Sequence, residues 1–108
     1  MSHFTPEKIR YGHAIDLMSA VVAHYSELIA LEKVQSQPDL QKIEKYFAIK
    51  NMIHEERHLL QPHHIEQVEY LISKYEPMIQ KWYHQLLTMQ QQQVDDFISH
   101  FDSTKTIK

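Results

Sequence analysis

Glycine occurs once in the 108 residues of this chain, at Gly12. Turns and hairpins that need a positive φ usually use glycine, because other side chains are strained in that conformation. A chain with a single glycine has few places for such turns, so the sequence predicts an all-α fold. The prolines Pro6, Pro38, Pro62 and Pro77 then divide the chain, since proline fits the first turn of a helix but removes a hydrogen bond inside one.

The composition limits the classes of function. A chain of 108 residues, 43% of them hydrophobic, fits one domain with a modest core. The formal net charge of −3 gives no concentrated positive charge, so we expect no nucleic-acid partner. Cysteine is absent, which excludes disulfides and thiolate metal sites. The sequence shows no signal peptide and no apolar run of about 20 residues, so we expect no membrane span and a cytoplasmic location.

The first predicted helix spans residues 6 to 34. Thr5 is placed to cap it, Pro6 fits its first turn, and Glu7 adds a favourable charge there. Two neighbouring apolar stripes predict that this helix contacts two others. The stripes are Ile15, Met18, Val22, Tyr25 and Ile29 in one, and Ala14, Leu17, Val21, His24, Leu28 and Leu31 in the other. Gly12 is either a tolerated glycine or the mark of a close helix contact.

Pro38 and Asp39 open a second predicted helix over residues 39 to 60, and Pro62 opens a third that continues to residue 101. The third helix keeps an unbroken three-four spacing. Its members are Ile65, Val68, Ile72, Tyr75, Ile79, Trp82, Leu86 and Met89. Pro77 lies inside this spacing without turn residues around it, which favours one helix kinked at Pro77 over two helices. We expect residues 90–93, a run of glutamines, to be an exposed part of this helix.

Short connections make sequential helices antiparallel, so the sequence predicts an antiparallel three-helix bundle with a long third helix. A four-helix bundle, formed if the chain reverses at Pro77, is the alternative. Residues 1–101 are predicted to be a single domain, followed by a frayed tail over residues 102–108. The expected core includes Ile15, Met18, Val22, Tyr25, Ile72, Ile79 and Trp82.

One segment has the residues of a metal site. His54, Glu55 and His58 match the pattern H-E-x-x-H, in which two histidines one helical turn apart can share a zinc ion. This segment resembles the zinc metalloprotease motif, and His64 stands where the longer metzincin pattern has its third histidine. Gln61 replaces the glycine of that pattern. A metal-binding bundle that uses His54, His58 and His64 is therefore the alternative function.

Two surfaces are candidates for binding a protein. The first is a basic strip on the second helix, which includes Lys50 and Arg57 and suits an acidic partner. The second is the end of the third helix, because a continuous helix would be longer than its neighbours and leave large apolar residues uncovered. We predict that this surface contains Trp82, Leu86, Met89, Val94, Phe97 and Ile98.

The sequence thus predicts a small, non-enzymatic helical protein that acts by binding another protein. Inhibitors, immunity proteins, antitoxins and secretion chaperones are proteins of this type. The glycine-dependent nucleophile elbow and phosphate-binding loop are absent, and no nucleophilic catalytic arrangement is visible. We expect no cofactor, and we expect the partner to be another protein or a second copy of this chain.

Overall fold

The computed structural model describes the backbone of residues 5–106 and the side chains of residues 5–99. Three helices make up almost all of this range: α1 (Pro6–Lys33), α2 (Leu40–Leu59) and α3 (Ile65–Thr106). Residues 5–106 contain no strand. The predicted all-α fold is confirmed.

The starts of α1 and α2 follow from their capping residues. Thr5 Oγ1 accepts a hydrogen bond from the backbone N–H of Lys8 at 3.2 Å, and Pro6 occupies the first turn. Asp39 Oδ1 accepts one from the N–H of Lys42 at 3.1 Å. Each side chain satisfies one of the backbone donors that a helix start leaves without a partner.

The start of α3 differs from the prediction. Pro62 was expected to open the helix, but α3 begins at Ile65, and residues 61–64 form a turn. The N–H of His64 donates to the carbonyl of Gln61 at 3.0 Å, and the N–H of Gln61 donates to His64 Nδ1 at 3.1 Å. The φ angle of proline suits the second position of a turn as well as a first helical turn.

Pro77 lies inside α3, which continues as one helix to Thr106. The residues described therefore contain no reversal at Pro77 of the kind that a fourth helix requires. The chain divides at this proline into two compact units, Met1–Pro77 and Met78–Lys108. Of the predicted tail, residues 102–106 belong to α3, and residues 107 and 108 lie outside the described range, as do residues 1–4 of the predicted domain.

The first unit contains the core, to which all three helices contribute. Its buried apolar residues are Ala14, Leu17, Met18, Val21, Val22 and Ile29 from α1, Ile43, Ile53 and Leu60 from α2 and its C-cap, and Val68, Leu71, Ile72 and Tyr75 from α3. Among the described side chains, no buried nitrogen or oxygen lacks a hydrogen-bond partner. Burial of this apolar set is the main term that stabilises the unit.

The core prediction was right for Met18, Val22 and Ile72, which are buried. It was wrong in extent for the other four residues, Ile15, Tyr25, Ile79 and Trp82, which are only half-buried. In α1 the buried face runs between the two predicted stripes, so Ile15 and Tyr25 lie at its edge. Ile79 and Trp82 follow Pro77 and belong to the second unit.

Polar contacts join α1 to the first turns of α3. Arg10 makes two hydrogen bonds to the carboxylate of Glu69, both 2.7 Å long, and His13 Nε2 lies 2.6 Å from Glu76 Oε2. Later residues of α1 meet later residues of α3, so the two segments run in the same direction. Both pairs lie at the edge of the core, where the side chains remain partly exposed.

The contacts between α1 and α2 run in the opposite order. Arg57 donates to Ser19 Oγ at 2.8 Å, and the ring centres of Tyr25 and Tyr46 are 5.8 Å apart. Nearer the connection, Lys42 Nζ lies 3.8 Å from Glu32 Oε2. The higher-numbered residue of one helix thus meets the lower-numbered residue of the other.

Two features of α1 bear on the expectations from sequence. A Cβ atom added to Gly12 would meet no described atom within 4 Å, so Gly12 marks no close helix contact. By length and composition alone, α1 is long and apolar enough to cross a membrane. The expectation that the chain has no apolar run of that length was therefore wrong for α1. A helix that contributes much of the core of a soluble protein meets the same criterion.

Candidate protein-binding face

Large apolar side chains remain exposed along the second part of α3. Phe97 is 70% exposed and Leu86 is 49% exposed, although both belong to an unbroken helix. We call the exposed set the apolar face: Tyr83, Leu86, Leu87, Met89, Val94, Phe97 and Ile98. At 100° per residue these seven side chains project from one side of the helix.

The surface of the same segment outside this face is polar. The side-chain amide of Gln91 donates to Asp95 Oδ1 at 3.0 Å, and that of Gln92 donates to Asp96 Oδ1 at 3.1 Å. Hydrogen bonds between residues four apart stabilise an isolated helix by about 0.2 to 0.5 kcal/mol each. The glutamine run is helical and exposed, as predicted, and the segment as a whole is amphipathic.

The predicted partner-binding residues on α3 all lie on or beside this face. Leu86, Met89, Val94, Phe97 and Ile98 are about half exposed or more. Trp82, which is half-buried and engaged in contacts, lies at the edge of the face.

Tyr83 and Leu87 also belong to the face, although they were not among the predicted partner-binding residues. Leu87 lies four residues after Tyr83, about one helical turn away, and this spacing places both residues on the same side.

The basic strip on α2 is used inside the chain. Arg57 donates to Ser19, and a second guanidinium nitrogen lies 3.4 Å from His54 Nδ1. The Lys50 ammonium lies 5.7 Å from the centre of the Phe47 ring, within the range of a cation–π contact. Both side chains are half-buried, and they share one side of α2 with Ile43, Ile53 and Leu60. This strip therefore offers less free charge than its sequence suggested.

The histidines of the H-E-x-x-H segment lie on α2 as predicted, but they do not converge with other ligands. His54 has the guanidinium of Arg57 beside Nδ1, and His64 Nδ1 accepts a backbone hydrogen bond in the turn before α3. His58 is exposed. Within the described part of the chain, no three His, Asp or Glu side chains come close enough to hold one metal ion.

Two electrostatic features on α3 belong to the first unit. Tyr75 is buried, and its hydroxyl donates to Glu56 Oε1 at 3.2 Å. Burial, followed by the nearby charge of Glu56, raises the pKa of Tyr75. The two hydrogen bonds from Arg10 lower the pKa of Glu69. The sequence analysis missed these pairs, because contacts between distant residues leave no local signal.

Comparison of the chain with protein-family models, with curated proteins and with solved structures finds no match.

Proposed function

We propose that this chain is a small, non-enzymatic protein that acts by binding another protein through the apolar face of α3. The observation that carries the proposal is the exposure of seven large apolar side chains on one side of one helix. Inhibitors, immunity proteins, antitoxins and secretion chaperones remain the types of protein that this proposal includes. We further propose that the helices form an antiparallel bundle, that α3 kinks at Pro77, and that the protein is cytoplasmic.

The size of the face supports binding. The two aromatic side chains bury on the order of 150 to 250 Å² each when fully covered, and the five aliphatic side chains bury less. At about half exposure or more, the seven together present roughly 600 to 800 Å² of surface. The largest apolar patch on a typical monomer is about 300 to 600 Å², whereas a stable complex buries about 800 Å² per partner. The face is therefore large enough to form the centre of an interface.

The residue types also support binding. Tyrosine, phenylalanine and methionine are enriched at protein interfaces, and Tyr83, Met89 and Phe97 are among the most exposed residues of the face. Lysine and glutamate, which are depleted from interface centres, are absent from the face. An amphipathic helix of this kind binds by laying its apolar side into a groove or against another helix.

The proposal is tested by capturing partners with immobilised protein and with two double variants. Leu86→Glu with Phe97→Glu adds two charges to the apolar face, and Gln85→Glu with Thr88→Glu adds the same two charges to the polar side. We expect a protein from the native host to be retained by the wild type and by the second variant, and to be lost from the first. Equal retention by all three proteins, or by none, would contradict the proposal.

A further inference from the structure

The central stripe of the apolar face is symmetric about Gln90. It consists of Tyr83, Leu86, Gln90, Val94 and Phe97, and the spacings are 3, 4, 4 and 3 residues. Leu86 and Val94 are each four residues from Gln90, and Tyr83 and Phe97 are each seven residues from it. The order of spacings is therefore the same in both chain directions.

Gln90 also lies in the middle of the apolar face. At 100° per residue, Tyr83, Leu86, Val94 and Phe97 project within about 40° of the direction of Gln90. The described side chain of Gln90 is exposed. Gln90 thus occupies the centre of the stripe, with similar apolar residues at equal distances on both sides. Gln93 also projects within the face, about 60° from Gln90.

We propose that the apolar face binds a second copy of this chain, with the two α3 segments antiparallel and Gln90 of one copy beside Gln90 of the other. This inference rests on the proposed function, because it names the partner of the same face. A two-fold axis at residue 90 brings the Tyr83 end of one helix beside the Phe97 end of the other. The same surface then meets itself, which is the arrangement of most two-fold dimers.

The buried area is sufficient for this arrangement. Roughly 600 to 800 Å² from each chain gives a total of about 1,200 to 1,600 Å², within the range of standard stable interfaces. The side-chain amide of Gln90 has both donors and an acceptor, so two copies can form hydrogen bonds to each other at the axis. A single polar residue at a central position is also a known means of fixing the register of paired helices.

The order of charges favours the antiparallel orientation. Lys81 and His84 lie towards the start of the segment, and Asp95 and Asp96 lie towards its end. These charges lie on the side of α3 away from the apolar face, so they do not pair across it. Antiparallel packing nevertheless places the acidic end of each helix at the level of the basic end of the other, whereas parallel packing places like charges at the same level. Exposed charges contribute little affinity, but they do select between orientations.

Light scattering after size exclusion gives the first test, on the full chain without a tag. We expect a mass near 26 kDa, twice the 13.0 kDa of one chain. Leu86→Glu with Phe97→Glu is expected to give a helical monomer, and Gln85→Glu with Thr88→Glu, the matched charge control, is expected to remain a dimer. A monomeric wild type at concentrations of about 100 μM would overturn the inference.

The orientation is tested by disulfide formation, which is simple here because the chain has no cysteine. In the proposed register, Leu87 of one copy lies beside Val94 of the other, since Leu87 is three residues before Gln90 and Val94 is four residues after it. We expect Leu87→Cys mixed with Val94→Cys to form a mixed disulfide several-fold more readily than either variant does alone. Gln90→Cys, which pairs with itself in this register, serves as the positive control.

The outcomes separate this inference from the proposed function. A dimer in which Leu87→Cys and Val94→Cys each pair mainly with themselves is parallel and overturns the inference. A monomer that still captures a foreign protein through the apolar face also overturns the inference, but it supports the proposed function. A monomer that captures nothing contradicts both.

Discussion

The two parts of α3 use the same kinds of residue with opposite results. Before Pro77, Leu71 and Ile72 are buried in the core of the first unit. After Pro77, Leu86 and Leu87 continue the helix at similar spacing, and both are exposed. Hydrophobic periodicity identifies the side of a helix that excludes water when it is covered. The periodicity does not show whether the cover comes from the same chain.

The two parts therefore differ in whether their apolar side is covered, and not in their local structure. Both parts are helical, and both have an apolar side and a polar side. In the first part, the apolar side belongs to the core, which contains thirteen buried residues among the described side chains. In the second part, the apolar residues are exposed to solvent, and covering them would release free energy on association, as the proposed function requires.

The largest expected effect comes from placing the same charge in each part. Leu71→Asp buries an unpaired carboxylate and is expected to cost about 4 kcal/mol or more, enough to unfold the first unit. Leu87→Asp changes a side chain that is 44% exposed, and we expect helix content to remain while binding is lost. Circular dichroism with urea denaturation measures both. If Leu87→Asp also unfolds the protein, the contrast between the two parts is wrong.

Pro77→Ala has the next largest expected effect, and it acts on the residue at which the two parts of α3 meet. Proline at this position cannot donate a hydrogen bond to the carbonyl of Ser73, and it is about 3 kcal/mol less favourable than alanine inside a helix. We expect the substitution to stabilise α3 by up to about 3 kcal/mol. Amide exchange in residues 74–81 should slow by at least tenfold. An unchanged rate of amide exchange would show that Pro77 does not destabilise this part of α3.

Tyr75→Phe sharpens the description of the first part. The variant removes a hydrogen bond to Glu56 from a buried ring, and we expect a loss of about 1 kcal/mol at neutral pH. Because the pKa of Tyr75 is raised on folding, its contribution is present below the ordinary value of 10.0 and is lost as pH rises above it. The free energy of unfolding, measured by urea denaturation between pH 8 and about 11, should therefore fall more steeply with pH for wild type than for the variant. Parallel curves would contradict this role.

Glu69→Gln has the smallest expected effect. The pKa of Glu69 is lowered by Arg10, so the stabilisation is present above the ordinary value of 4.5 and is lost as pH falls through the lower folded value. We expect the melting temperature of the variant to lie slightly below that of wild type at pH 7. The two should converge once pH falls below the lowered pKa of Glu69, since the carboxyl then holds its proton in both the folded and the unfolded chain. A constant difference across this range would show that the Arg10 pair is not its source.

Much of the fold could be predicted because it depends on local chemistry. The capping oxygens of Thr5 and Asp39 and the position of Pro6 determine where α1 and α2 begin. The start of α3 was predicted three residues too early, because Pro62 fits a turn as well as it fits a helix start. The short-range pattern fits both alternatives, and in the structure the hydrogen bonds between Gln61 and His64 close the turn before α3.

The candidate site was predictable in part for the same reason. The apolar residues of α3 follow from spacing along one helix, and the sequence identified most of them. Arg57 was assigned to a free basic strip, whereas it donates to Ser19 of another helix. A contact of this kind depends on how α1 and α2 pack against each other, and the sequence around Arg57 or around Ser19 does not specify that packing.

The fluorescence of Trp82 is sensitive to the state of the apolar face. It is the single tryptophan of the chain, it is half-buried, and it lies at the edge of the apolar face in the turn after the one that contains Pro77. Indole emission shifts to shorter wavelength when water leaves its surroundings. The intrinsic fluorescence of this protein therefore reports on whether the neighbouring helix surface is wet or covered, without any added dye.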